Sequence, residues 1–427
     1  MSIALINGRA YINGKLMQKN LLIEDGLIKY IGNEKPKAEK EIDCKRKIVL
    51  PGAIDCHVHF RVPGQEYKED WVSGSLAALH GGVTTVMDMP NNIPIIDTYE
   101  KLLKKHQLVS KSALVNFALY MAATENNLQE IELACNDENI SLKAVKLYYG
   151  KTTGEFFLDD ENSIRKIFEL SKKHDIVVVA HAEDNKTIME NEKLFAQNNW
   201  PEIHSLIRNE EVEAKAISKL LSIQKKIGNK LHFAHVSSKK GLKLIEETKK
   251  NKNESRITCE VTPNHLFLDS NKYKILGNLI KCNPSIKGPE HRKALYYGLK
   301  KGIVDIIATD HAPHTLEEKN KDYREAPSGI PGVETMVPLI LNEVNNKRIS
   351  LERAIKVICE NPAKIFGWKK KGFIAQGFDA DLIIVDMKKS FLVENSRLFT
   401  KAKYSPFAGN LLKGFIEQTI VRGQTYG

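Results

Sequence analysis

The run Asp55-Cys56-His57-Val58-His59-Phe60-Arg61 sets two imidazoles two residues apart. On a β-strand such side chains point the same way, so both rings can offer nitrogen to one cation. A His-x-His pair alone is a weak signal, and its weight comes from company. Val179-Ala180-His181-Ala182-Glu183 and Phe233-Ala234-His235-Val236-Ser237 each carry a histidine at the end of an apolar run, and Ala308-Thr309-Asp310-His311 carries an acid at the matching place. Burying four imidazoles and a carboxylate without a cation is costly, which favours a metal site over a set of satisfied core groups. In Lys143-Ala144-Val145-Lys146-Leu147, strand alternation turns Lys146 inward if Val145 and Leu147 face the helices. Alone it reads as a surface lysine. Beside the histidines, its neutral amine can add carbon dioxide, giving a bidentate carbamate able to bridge two metals, and that reading is preferred.

These residues need a scaffold that gathers distant positions. From residue 48 onward, short β-branched runs alternate with amphipathic stretches, the pattern of repeated βα units in an α/β fold. Eight strands are expected: Ile48–Phe60, Val83–Met89, Leu114–Met121, Ala144–Tyr149, Ile176–Ala182, Leu231–Val236, Ile257–Val261 and Asp305–Asp310. Eight such strands close a TIM (β/α)8 barrel, whose active sites form at the C-terminal strand ends where the candidate ligands fall. Helices are expected over Glu161 to His174 and Glu210 to Ile227. The polar stretch through Glu317-Glu318-Lys319-Asn320 to Pro327-Ser328-Gly329 is expected to be a mobile loop over the barrel mouth, able to act as a lid. Residues 1–50 and 371–427 read as short strands and glycine turns that together make a small β-sandwich, leaving 51–370 as the barrel.

A chain of 427 residues is long enough for one large domain and a smaller one. No apolar run approaches the roughly 18 residues of a membrane span, and the first residues lack signal-peptide character, so a cytoplasmic enzyme without a membrane partner is expected. Six cysteines without CxxC spacing argue against a zinc ribbon or disulfide framework and read as small buried hydrophobes. The net charge of +11 comes from lysines spread along the chain, Lys369-Lys370-Lys371 included, which reads as a solvated surface rather than a nucleic-acid footprint. Such a field favours small anionic substrates.

The whole set resembles the amidohydrolase superfamily over essentially the entire chain, and in detail is similar to the dihydroorotases. That resemblance implies two zinc ions per subunit: His57, His59 and Asp310 on one, His181 and His235 on the other, and N6-carboxylated Lys146 between them. Some bacterial relatives carry Asp at the bridging position, so Lys146 points to the binuclear form. Arg61, Asn91 and His314 match the family's partners for a substrate carboxylate, Asn283 its ring-contacting Asn, and Ser328-Gly329 its imide-contacting turn, with His59 also beside the substrate. An arginine fork suits a carboxylate, which dihydroorotate carries and a plain hydantoin lacks. The implied reaction is reversible cyclisation of N-carbamoyl-L-aspartate to (S)-dihydroorotate and water in pyrimidine (UMP) biosynthesis, with Asp310 as general base and acid. Departures are Pro284-Ser285 and Lys287 where relatives often have Pro-Pro and Arg, and Ser328 where they have Phe. The rival readings are a dihydropyrimidinase, hydantoinase or allantoinase with the same metals, and a non-catalytic scaffold on the same fold. The family leaves room for a homo-oligomer and for association with aspartate transcarbamoylase, which no feature of this sequence demonstrates.

Overall fold

Pro51 and Gly52 divide the apolar run from Ile48 to Phe60 into two strands that serve different sheets. Ile48–Pro51 pairs antiparallel with Leu382–Leu392 and parallel with Arg9–Ile12, whereas Ala53–Val58 opens a parallel series. The single strand expected there is thus corrected. A Cβ on Gly52 would lie 2.3 Å from the Thr84 side chain, so only glycine lets the chain cross between sheets at this point.

The computed structural model describes residues 2–152, 156–250 and 256–427. The parallel series runs Ala53–Val58, Val83–Asp88, Asn116–Leu119 continued by Met121–Ala122, Ala144–Tyr149, Val177–Ala182, Lys230–Phe233, Ile257–Val261 and Ile306–Ile307. Its paired neighbours are parallel, and a parallel bridge between Val58 and His311 brings the chain beyond the last strand back to the first. Two strands stop short of their expected ends because side chains replace the ladder partners. The amide of Thr309 donates to Asp55 Oδ1 at 3.0 Å, and that of His235 to Glu260 Oε1 at 3.1 Å.

Between strands lie amphipathic helices whose limits follow local chemistry. Glu161–Lys173 begins where Asp160 accepts from the Ser163 amide at 2.8 Å, buries Ile164, Ile167 and Phe168, and ends with Lys172 and Lys173 against the helix dipole. The expectation overran it by one residue. Glu210–Ile227 is capped by Asn209 and closed by Gly228 at φ 76°, as its sequence suggests. Val145 and Leu147 pack outward among the helices, whereas Ala144 joins Cys56, Met87, Tyr120 and Val179 on the enclosed side, so Lys146 is carried inward.

The chain ends interleave. One sheet runs Gln424–Tyr426, Leu411–Val421, Leu382–Leu392, Ile48–Pro51, Arg9–Ile12, Lys15–Gln18, and another Leu27–Gly32, Asn20–Glu24, Ser2–Ile6, Lys40–Asp43. Leu5, Leu21, Ile23, Val49, Leu382 and Ile420 form a core shared by strands from both ends. The hydroxyl of Thr419 donates to Leu79 O at 2.7 Å, fastening this region to the helix Trp71–His80.

Three further expectations change. The stretch after Asp310 is pinned rather than free: it contains the helix Leu316–Lys319 with a capping box from Thr315 and Glu318. Lys371 is buried between Asp379 and Asp381, at 2.8 and 2.6 Å, instead of belonging to a solvated run. Of the six unpaired cysteines, Cys135 is only partly buried, on a helix flank. No helix among the described residues is long and apolar enough to cross a membrane.

Candidate active site

His57 is the penultimate residue of the first parallel strand and His59 lies just past its end. His57 Nδ1 is 2.6 Å from Glu260 Oε1, and His59 Nδ1 is 2.6 Å from Asn91 Oδ1. Burial works to raise the Glu260 carboxyl, yet the neighbouring His57 and His232 hold it well below the usual carboxylate range. Both acceptors therefore want a proton, which fixes it on Nδ1 of each ring and leaves Nε2 with a lone pair. The two Nε2 atoms face Asp310 Oδ1 at 3.4 Å from His57 and 3.0 Å from His59. Against burial, His57 and His59 also keep the Asp310 carboxyl low, so its oxygen is anionic. His57, His59 and Asp310 thus put three ligand atoms within 4.8 Å of one another, a donor set that suits a cation.

The second group lies alongside. His181 Nε2 is 3.0 Å from Glu183 Oε2, leaving Nδ1 bare toward His235 Nε2 at 3.1 Å. The rings of His57 and His235 are 5.2 Å apart, so the two groups are contiguous. His235 Nδ1 and Lys146 Nζ are both buried without a hydrogen-bond partner. Burial pulls the Lys146 ammonium down to about 8, and it lowers the imidazoles of His181 and His235 too. Neutral imidazoles, a carboxylate and an orphaned amine fit divalent cations better than they fit one another.

Arg61, Asn91, Asn283, Ser328 and Gly329 line the same cavity as the histidines, Lys146 and Asp310. Arg61 is 5% exposed and donates to Pro313 O at 3.3 and 3.1 Å, yet it forms no ion pair among the described residues. Asn283 Oδ1 accepts from His204 Nε2 at 3.0 Å, which leaves its Nδ2 group as a donor. His314 is the one expected site residue that does not line the cavity: it lies behind, against Arg61 at 3.2 Å and Ser328 O at 3.2 Å. Burial drops its imidazole to about 3, so it is neutral at working pH. Arg61 (φ 66°), His235 (φ 35°) and Asp310 (φ 49°) all occupy the left-handed region, at a strain on the order of 1 kcal/mol each.

The sequence profile described as "Amidohydrolase family" matches residues 48–426. Dihydroorotases of Methanosarcina acetivorans and Pyrococcus horikoshii are 36% and 37% identical, covering 99% and 98% of this chain and 91% of each relative. This chain belongs to the amidohydrolase family, in its dihydroorotase branch. Among solved structures, the L-hydantoinase (dihydropyrimidinase) of Arthrobacter aurescens superposes with a TM-score of 0.94 at 29% identity, over 99% of this chain and 95% of its own.

Several groups that hold this amidohydrolase site in place escaped the sequence reading. Tyr148 and Thr152 line the cavity. Glu183, beside His181, is also held by Arg208. Buried Lys105 pairs with the Asp88 carboxylate at 2.5 Å and donates to Met89 O and Asn92 Oδ1 at 3.0 and 2.7 Å, and so fixes the turn bearing Asn91. Glu213 accepts from Ser237 N and Ser238 N, each at 2.8 Å, pinning the segment after His235. Lys319 donates to Lys281 O, Pro327 O and Gly329 O at 3.1, 2.9 and 2.9 Å. Glu183 had a signal, two residues beyond His181 and just past the end of its strand; the lysines had none, because their acceptors are mostly carbonyls.

Proposed function

We propose that this chain is a binuclear dihydroorotase that interconverts N-carbamoyl-L-aspartate with dihydroorotate and water at the rim of a closed (β/α)8 barrel, residues 51–370, beside a β-sandwich of residues 1–50 and 371–427. The observation that carries the choice of substrate is Arg61, a buried guanidinium on the cavity wall that donates to Pro313 O and makes no ion pair among the described residues. A substrate carboxylate supplies that partner, with Asn91 beside it and His314 behind.

His57, His59 and Asp310 would hold one zinc ion, and His181 and His235 the other. Lys146 would serve both as its N6-carboxylate: the neutral Nζ amine attacks carbon dioxide, an N–C bond forms as one C–O π bond opens to a carboxylate oxygen, and one proton is released. Bound cations of this kind polarise a ring carbonyl and lower the pKa of water. Asp310 moves the proton. In synthesis, the terminal ureido nitrogen attacks the carbon of the protonated β-carboxyl and gives its proton to Asp310, which passes it to the departing hydroxyl so that the C–O bond breaks with loss of water. In hydrolysis Asp310 takes a proton from the attacking water and returns it to the ring nitrogen as the C–N bond breaks. Arg61 and Asn91 fix the carboxylate, while Asn283 and the Ser328-Gly329 turn hold the ring in attack geometry.

Purified protein, assayed for zinc, should hold about two equivalents and hydrolyse dihydroorotate far faster than an unsubstituted hydantoin. Faster turnover of the hydantoin would transfer the chain to the activity named for its structural neighbour, and metal-replete protein inert to both rings would favour the scaffold reading.

A further inference from the structure

Glu260 stands on the seventh parallel strand, 1% exposed, and is not a ligand in the metal reading on which this inference rests. Its Oε1 receives His57 Nδ1 at 2.6 Å and the backbone amide of His235 at 3.1 Å. Its Oε2 faces His232 Nε2 at 3.1 Å and the Cys56 thiol at 3.6 Å. One oxygen thus touches a residue from each half of the cluster. For His57 it sets which nitrogen bears the proton and so which one presents a lone pair. For His235 it supplies the acceptor that holds an amide in a backbone conformation, φ 35°, which a histidine rarely adopts. The amide has left the strand ladder at that point, so no backbone carbonyl does the job.

We infer that Glu260 is a shared positioning residue that couples the two metal positions, so that disturbing it weakens both together. Asn91 and Glu183 provide the contrast. Asn91 orients only His59, and Glu183 orients only His181, so each serves one half.

The test is stepwise Zn2+ binding to chelator-stripped protein, followed by competition with a chromophoric chelator, for wild type, Glu260→Gln, Glu260→Asp and Glu183→Gln. Both Glu260 variants should bind both equivalents about 10- to 100-fold more weakly, the range for loss of a residue that orients a ligand. Glu183→Gln should weaken one equivalent only. Glu260→Asp keeps the buried charge and guards against a failure of the amide variant to fold, which circular dichroism of the stripped proteins checks. Loss of one equivalent alone, or of neither, in a folded Glu260 variant overturns the coupling. Wild type that takes up no zinc removes the metal reading and this inference with it.

Discussion

Arg61 is buried without an ion pair among the described residues, at the cost of desolvation and of a left-handed backbone. A side chain kept on those terms serves something other than stability. Arg61→Met should therefore lower kcat/KM for dihydroorotate at least 100-fold, about 3 kcal/mol of lost carboxylate binding. Its melting temperature should stay level or rise. A parallel fall in activity and melting temperature would show that Arg61 is a structural strut instead. The convergence of His57, His59, His181, His235 and Asp310 on one cavity was legible because imidazoles and an acid at strand ends have few other uses, and that of Lys146 because alternation has only two faces. Glu260 was not legible. An acid on an expected strand declares nothing until the histidine on a neighbouring element is seen to face it.

The helix Leu316–Lys319 and the turns it touches behave as one clamp. Burial pulls the Lys319 ammonium down to about 7, but three carbonyls converge on it, and only the charged form has three N–H groups to give. Lys281 adds bonds to Tyr323 O and Ala326 O at 2.5 and 2.6 Å. Lys319→Met should free the Ser328-Gly329 turn and raise KM for dihydroorotate roughly tenfold, with a smaller change in kcat and a lower melting temperature. A lower melting temperature with KM unchanged would separate the clamp from substrate binding. Polarity and punctuation in this stretch suggested a mobile lid, since ammonium-to-carbonyl ties leave no pattern in sequence. The divided strand at Pro51-Gly52 was more readable: both residues mark a break, but the long apolar run around them masked it.

Over the whole molecule, the segment after the eighth parallel strand is stitched to the C-terminal region through Glu334, whose carboxylate accepts from the Phe399 amide at 3.0 Å. Burial, opposed by the amides of Phe399 and Thr400, pushes this carboxyl from 4.5 up to about 7. Below pH 4.5 the group is protonated folded or unfolded. As pH rises toward 7 the unfolded chain ionises first, so stability falls across that window and levels above it. Glu334→Gln should match wild type in unfolding free energy from urea titration at acid pH and exceed it at pH 8 by up to roughly 3 kcal/mol. Equal unfolding free energies at both would mean the carboxyl titrates normally. The interleaved ends carry a further consequence, for synthesis. Ile48–Pro51 waits for Leu382–Leu392, some 330 residues later. At roughly 5–20 residues per second that is about 15 to 70 s with an unpaired strand edge on the ribosome. Heterologous yield of this protein should then depend on elongation speed and on holdase chaperones more than its finished stability would suggest.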